Sequence, residues 1–223
     1  MGETIDVKRP DGKTCPAYLA SPKEGAGAPG FVMIQEWWGL NDQIKGVAER
    51  LAGEGYRVLV PDLYRGKKTT NPDEAGQLMT GLDFLDAATQ DVRGGVQHLK
   101  QSSRKVAVGG FCLGGAVTVI AAVHVPEADT AVCFYGIPPA SAADPAKVRV
   151  PFQGHFANMD DWCTPAAVDA LDAGLKKARV VHEIHRYQAH HAFMNEARPE
   201  VYDRACADLA WQRTKEFLAK TLR

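Results

Sequence analysis

Arg104-Lys-Val-Ala-Val-Gly-Gly-Phe-Cys-Leu-Gly-Gly-Ala-Val-Thr-Val-Ile120 is the stretch whose reading decides the fold. Val106, Ala107 and Val108 form an apolar run suited to a short buried strand. Two glycines follow, then Phe111-Cys112-Leu113, two more glycines and an apolar helical pattern. Gly110-x-Cys112-x-Gly114 at a strand-to-helix junction has the spacing of a nucleophile elbow, with cysteine where serine is usual. Such a turn is sharp and strained at its middle residue, and glycines at its flanks let strand and helix backbones approach closely. It would hold a sulfur above the sheet at a helix N-terminus, whose positive dipole end favours thiolate. The plainer reading is a glycine-rich turn around a buried structural cysteine.

Working outward, the same alternation of strand and helix recurs along the chain. Residues 31–34, 56–60, 130–135, 148–153 and 180–187 read as strands, with Pro151 interrupting the fourth and the last half-exposed at an edge. Helical spacing of apolar residues places helices after Asn41 or Asp42, over about 73–100 with a break near Gly81, from the elbow to about His124, from Pro165 to Lys177, and from about Pro199 onward. Pro10-Asp11-Gly12-Lys13 is a turn signal between two extended segments, 2–8 and 14–20, so the chain opens with an antiparallel hairpin. Residues 21–30 read as a surface loop. Strands alternating with helices predict an α/β fold, one domain over residues 1–223. Its mostly parallel sheet would have helices on both faces and the hairpin at its N-terminal end.

An apolar content of 45% and a charged content of 24% are those of a soluble globular protein. A formal charge of −1 gives no reason to expect nucleic acid or an anionic membrane as partner. The first residues lack a signal-peptide core and no 18-residue apolar run occurs, so a cytoplasmic location and no membrane partner are expected. Cysteines 15, 112, 133, 163 and 206 are odd in number and lack Cys-x-x-Cys spacing, which argues against a disulfide framework and a structural zinc site. No cofactor and no metal are expected, and each cysteine stands on its own.

A nucleophile needs a base, and the base needs a group to orient it. In α/β-hydrolase folds these follow in the order nucleophile, acid, histidine, each on a loop after a strand. Cys112, then Asp160 or Asp161, then His191 occur in that order. Gln35-Glu36-Trp37-Trp38 adds a carboxylate and two tryptophans after the strand at 31–34, at the sheet edge where ligands sit in such folds. Glu36 could equally be a solvated loop carboxylate, and the tryptophans simple packing.

With these pieces in place the chain resembles the dienelactone hydrolase family, the carboxymethylenebutenolidases and their relatives, from about residue 13 to 220. The matching stretches are Ile34-Gln-Glu-Trp-Trp-Gly-Leu-Asn41, Gly55-Tyr-Arg-Val-Leu-Val-Pro-Asp-Leu-Tyr64, Gly109-Gly-Phe-Cys-Leu-Gly-Gly115, Phe134-Tyr-Gly136, Asp160-Asp-Trp-Cys-Thr-Pro165 and Tyr187-Gln-Ala-His-His-Ala-Phe193. The resemblance implies an α/β-hydrolase fold and a Cys-His-Asp triad that cleaves small esters or enol-lactones through a thioester. It makes Cys112 the nucleophile, His191 (rather than His190) the base, Asp160 (rather than Asp161) the acid, and Glu36 a carboxylate that holds the resting thiol. It assigns the oxyanion to the backbone N–H groups of Leu113 and Trp37, and Trp38 and Tyr135 are candidates for substrate binding.

One departure bears on the substrate. Dienelactone-cleaving members hold a substrate carboxylate with arginines, one ahead of the elbow and one soon after the catalytic histidine. Here no arginine lies between Arg65 and Arg93, and the first after His191 is Arg198. A more aromatic, less cationic pocket is therefore expected. The competing readings are a broader carboxylesterase or thioesterase, a non-catalytic small-molecule receptor, and a redox-sensing thiol protein with Cys163 as resolving cysteine.

Overall fold

The computed structural model describes residues 2–222 except Glu24 and Ala26, which fall in the loop expected over 21–30. The strands are β1 (Glu3–Lys8), β2 (Thr14–Ala20), β3 (Gly30–Ile34), β4 (Arg57–Pro61), β5 (Val106–Phe111), β6 (Thr130–Phe134), β7 (Phe152–Met159) and β8 (His182–His190). The helices are α1 (Asp42–Gly53), α2 (Pro72–Thr80), the single turn α3 (Phe84–Asp86), α4 (Arg93–Lys100), α5 (Leu113–His124), α6 (Pro165–Ala178) and α7 (Arg204–Leu222). All eight strands form one sheet in the order β1-β2-β4-β3-β5-β6-β7-β8. The β1–β2 hairpin is antiparallel and β2 runs antiparallel to β4, whereas every pairing from β4 across to β8 is parallel.

The sheet is covered on both faces because its central strands are apolar on both. Successive residues of β3 point to opposite sides. Val32 and Ile34 join Val92, Val96, Val117, Ile120, Leu171 and Leu175, under α4, α5 and α6. Phe31 and Met33 join Ile44, Leu51, Trp211 and Phe217, under α1 and α7. Helix starts carry the expected signals: Asn41 Oδ1 accepts the Ile44 N–H at 3.1 Å, and Thr164 caps α6 ahead of Pro165. Among the described residues no helix is long and apolar enough to cross a membrane.

Several boundaries differ from expectation for identifiable reasons. The strand read over 148–153 begins only after Pro151, which has no N–H to donate, and then runs on to Met159 through residues that read as loop. His155 sits fully buried inside it because its ring is satisfied: Nδ1 lies 2.7 Å from the Tyr187 hydroxyl and Nε2 2.9 Å from Gln153 Oε1. β8 likewise continues past Tyr187 to His190. The last helix starts at Arg204 instead of near Pro199, because Asp203 caps it by accepting the Cys206 N–H at 2.9 Å. The helical region over 73–100 is three pieces, with a widened turn at Ala87–Val92 joining α3 to α4. That turn buries Asp91, which accepts from Arg65 at 2.7 Å and from Arg9 at 3.1 Å, tying the hairpin and the β4 loop to the helical layer.

The elbow is the tightest place in the fold. A Cβ on Gly115 would stand 2.5 Å from the Phe134 carbonyl oxygen and 2.9 Å from the Gly136 backbone, and main chain cannot step aside cheaply. Gly115→Ala is therefore expected to cost about 2–3 kcal/mol by overpacking. Urea unfolding checks this, since a midpoint equal to wild type would show that α5 is not pressed against β6.

Candidate active site

The loops that follow the parallel strands all open on one edge of the sheet, and that edge carries a cavity of about 580 Å³. β5 ends at Phe111, and Cys112 takes φ 55° and ψ −116° to turn the chain into α5. A non-glycine residue held there costs on the order of 1–3 kcal/mol. The surroundings hold it: the Cys112 N–H donates to the Phe134 carbonyl at 3.0 Å, and its own carbonyl accepts from Ala116 at 3.1 Å. Positive φ at non-glycine residues gathers around this cavity, with Tyr135 at 39° and Ala192 at 64° also lining it.

His191 follows β8 directly and Asp160 follows β7 directly, so the β7–β8 pairing sets the distance between them. His191 Nδ1 lies 2.8 Å from Asp160 Oδ2. The other carboxylate oxygen, Oδ1, accepts the backbone N–H groups of Trp162 at 2.8 Å and Cys163 at 2.9 Å. Burial alone would push the Asp160 pKa up, but the His191 bond, the His191 charge and those two N–H groups bring it below the ordinary value. His191 is affected in the opposite sense. Burial pushes its pKa down, yet the bonds and charges of Asp160 and Cys112 prevail and raise it to about 10. His191 thus stands between Asp160 and the Cys112 thiol. Asp161 and His190, the neighbours that the spacing left open, line the cavity without a part in this bond.

Glu36 is almost completely buried in the cavity wall. Oε1 accepts from the Tyr135 hydroxyl at 3.1 Å and Oε2 from Asn195 Nδ2 at 2.7 Å. Burial raises its pKa despite those bonds and the charges of His191 and Arg198. Burial and the charges of Glu36 and Cys112 push the Tyr135 phenol well up, so Tyr135 is the donor in this pair. Each Glu36 oxygen is thereby engaged by a side chain other than the Cys112 thiol. Tyr135 lines the cavity and packs edge-on against the His191 ring, with centroids 5.2 Å apart.

Leu113, the first residue of α5, and Trp37 both line the cavity beside Cys112. Trp38 does not line it. It is buried, edge to face with Trp37 at 4.9 Å, and the Arg198 guanidinium lies over its ring at 5.5 Å. Arg198 itself does line the cavity, so the pocket expected to be less cationic carries a guanidinium after all. It stands seven positions after His191, and consecutive turns fold the intervening loop back: Asn195 N–H to Ala192, Arg198 N–H to Asn195, and Asp203 N–H to Phe193. Sequence reasoning also missed Asn195 and Trp162, which are unremarkable polar and aromatic residues until the loops are folded. Cys163 shares the cavity, and burial with the charge of Asp160 drives its thiol pKa up. Among the described residues no group of three or more His, Cys, Asp or Glu side chains is arranged to hold a metal ion.

Comparison with known proteins places the chain among its relatives. "Protein usf" of Aquifex pyrophilus is 34% identical over 233 residues, covering 100% of both chains. A protein of Aquifex aeolicus named "Putative carboxymethylenebutenolidase" is 31% identical, also over 100% of both. Among solved structures, a protein of Klebsiella pneumoniae described as "Putative Dienelactone Hydrolase" superposes with a TM-score of 0.89 at 25% identity, covering 99% of this chain and 98% of that one. It shares the α/β architecture described above. The family profile described as "Dienelactone hydrolase family" matches residues 15–222, and the chain belongs to that family.

Proposed function

We propose that this protein hydrolyses small carboxylic esters or enol-lactones through a Cys112–His191–Asp160 triad and a thioester acyl-enzyme. Family membership makes it a hydrolase of ester bonds. The observation that carries the finer reading is the His191 Nδ1–Asp160 Oδ2 contact of 2.8 Å beside a cysteine held at φ 55° over a helix N-terminus. The Cys112 sulfur attacks the carbonyl carbon, and the N–H groups of Leu113 and Trp37 receive the developing oxyanion. His191, as imidazolium, gives its proton to the leaving oxygen, then takes one from the water that cleaves the thioester. Asp160 keeps the ring oriented and favours the imidazolium. Glu36 is proposed to receive the thiol proton as substrate enters, with Tyr135 and Asn195 fixing where its oxygens stand. Thiolate attack suits esters and activated lactones better than amides, whose leaving group needs stronger acid assistance.

The redox reading is weaker. A resolving cysteine works as its thiolate, and the Cys163 thiol is pushed up by burial and by Asp160. The receptor reading has no use for an imidazole raised to about 10 beside a strained cysteine.

Two outcomes test the proposal. Cys112→Ala is expected to lower kcat/KM for p-nitrophenyl acetate by at least about 10³-fold, and His191→Ala by a similar factor, with circular dichroism unchanged. Full activity in Cys112→Ala would remove the triad. In the pH profile, His191 carries its proton below about 10 and loses it above, so kcat/KM should fall on the alkaline side of that value. Asp160→Asn removes the main support for the proton and should move that limb to lower pH; an unmoved limb would contradict the assignment of Asp160. The same raised pKa contributes to folding stability in full below the ordinary 6.5 and is lost as pH rises through about 10.

A further inference from the structure

Beyond the reacting groups, the cavity is apolar over much of its lining. Met79 at the end of α2, Phe84 at the start of α3, Ile137, Met159 and Trp162 all line it. Two of these are left in water: Met159 is 42% exposed and Trp162 69%. Indole is among the largest apolar surfaces a chain can bury, and a tryptophan so open at a cavity mouth leaves that stabilisation uncollected. Its position is not that of a loose surface residue. The Trp162 ring centroid lies 6.4 Å from that of Trp37 and 6.4 Å from that of His191. It therefore lies within reach of both the loop after β3 and the residue that follows β8, on the cavity that holds His191.

The charged side of the cavity is already engaged. Arg198 pairs with Glu200 at 2.7 Å and lies over the Trp38 ring. A guanidinium neutralised in this way is not held ready for a substrate carboxylate. Uncovered apolar surface and a satisfied cation together point away from a small anionic substrate.

We propose that Trp162 is a specificity-determining residue that selects esters carrying a bulky apolar substituent, which packs against Trp162, Met159 and Phe84. This rests on the ester-hydrolase reading above. The acid loop makes the assignment separable from catalysis, because Asp160 Oδ1 is held by the backbone N–H groups of Trp162 and Cys163 and not by the indole.

The test uses two series: p-nitrophenyl esters from acetate to octanoate, in which the leaving group is constant, and acetates of primary alcohols from methyl to octyl, in which the acyl group is constant. For the wild type, kcat/KM is expected to rise at least about tenfold along one of them, as a hydrophobic pocket rewards added methylenes. Trp162→Ala should collapse the long-to-short ratio, chiefly through KM, while Trp162→Phe restores most of it. Phe84→Ala, on a separate element, should lower the same ratio. The inference is overturned by flat or falling wild-type profiles in both series, or by a rise that survives in Trp162→Ala. A loss of equal size on every ester would also overturn it, since that would make the indole a shield for the His191–Asp160 bond. A wild type inactive on every ester sinks the hydrolase reading itself, which is a different result.

Discussion

The structure depends on one close approach of backbones. Where β5 turns into α5, a Cβ on Gly114 would collide with the carbonyl oxygens of Ile34 and Gln35, and one on Gly136 with the Cys112 carbonyl. The ends of β3, β5 and β6 and the start of α5 are thus pressed together with no side chains between them. Everything chemical follows from that compression. It holds Cys112 at a positive φ, in a cavity that Trp37 and Leu113 also line, and brings Tyr135, just after the next strand, within reach of Glu36.

Around the elbow, two carboxylates in one cavity are pushed apart in acidity. Asp160 faces a histidine and two N–H donors, and its pKa falls. Glu36 is buried with only a phenol and an amide as direct partners, and its pKa rises. In the proposed mechanism the first remains an anion and orients an imidazole, and the second accepts a proton and gives it back. His191 completes the set, its proton held by Asp160 and Cys112 against the pull of burial. An exchange of the two carboxylates' roles would fit neither environment.

Much of this was legible from the chain because local chemistry announces it. The Gly110–Gly115 spacing marks the elbow, Pro10-Asp11-Gly12 the hairpin, and the order of cysteine, aspartate and histidine the sheet edge where they meet. The tandem aspartates and tandem histidines could not be resolved from spacing, since a one-residue shift in a loop leaves no periodic signal. The partners of Glu36 were also out of reach: Tyr135 lies 99 residues away and Asn195 159. β7 was read short because histidine, asparagine and glycine look like loop residues until Tyr187, Gln153 and Thr214 supply the bonds that let His155 be buried. The place of Arg198 leaves no signal in the chain, because distance along it says nothing about a loop that doubles back.

The central claim is covalent: an ester leaves its acyl group on Cys112. The direct measurement is intact-protein mass spectrometry of the wild type, quenched in acid during turnover of a slowly deacylating p-nitrophenyl ester, followed by peptide mapping. The account predicts a mass increase equal to one acyl group, located on the peptide bearing Cys112 and released by neutral hydroxylamine as expected for a thioester. An adduct on any other residue would contradict it, as would turnover with no adduct under conditions where the burst of p-nitrophenol equals the enzyme concentration.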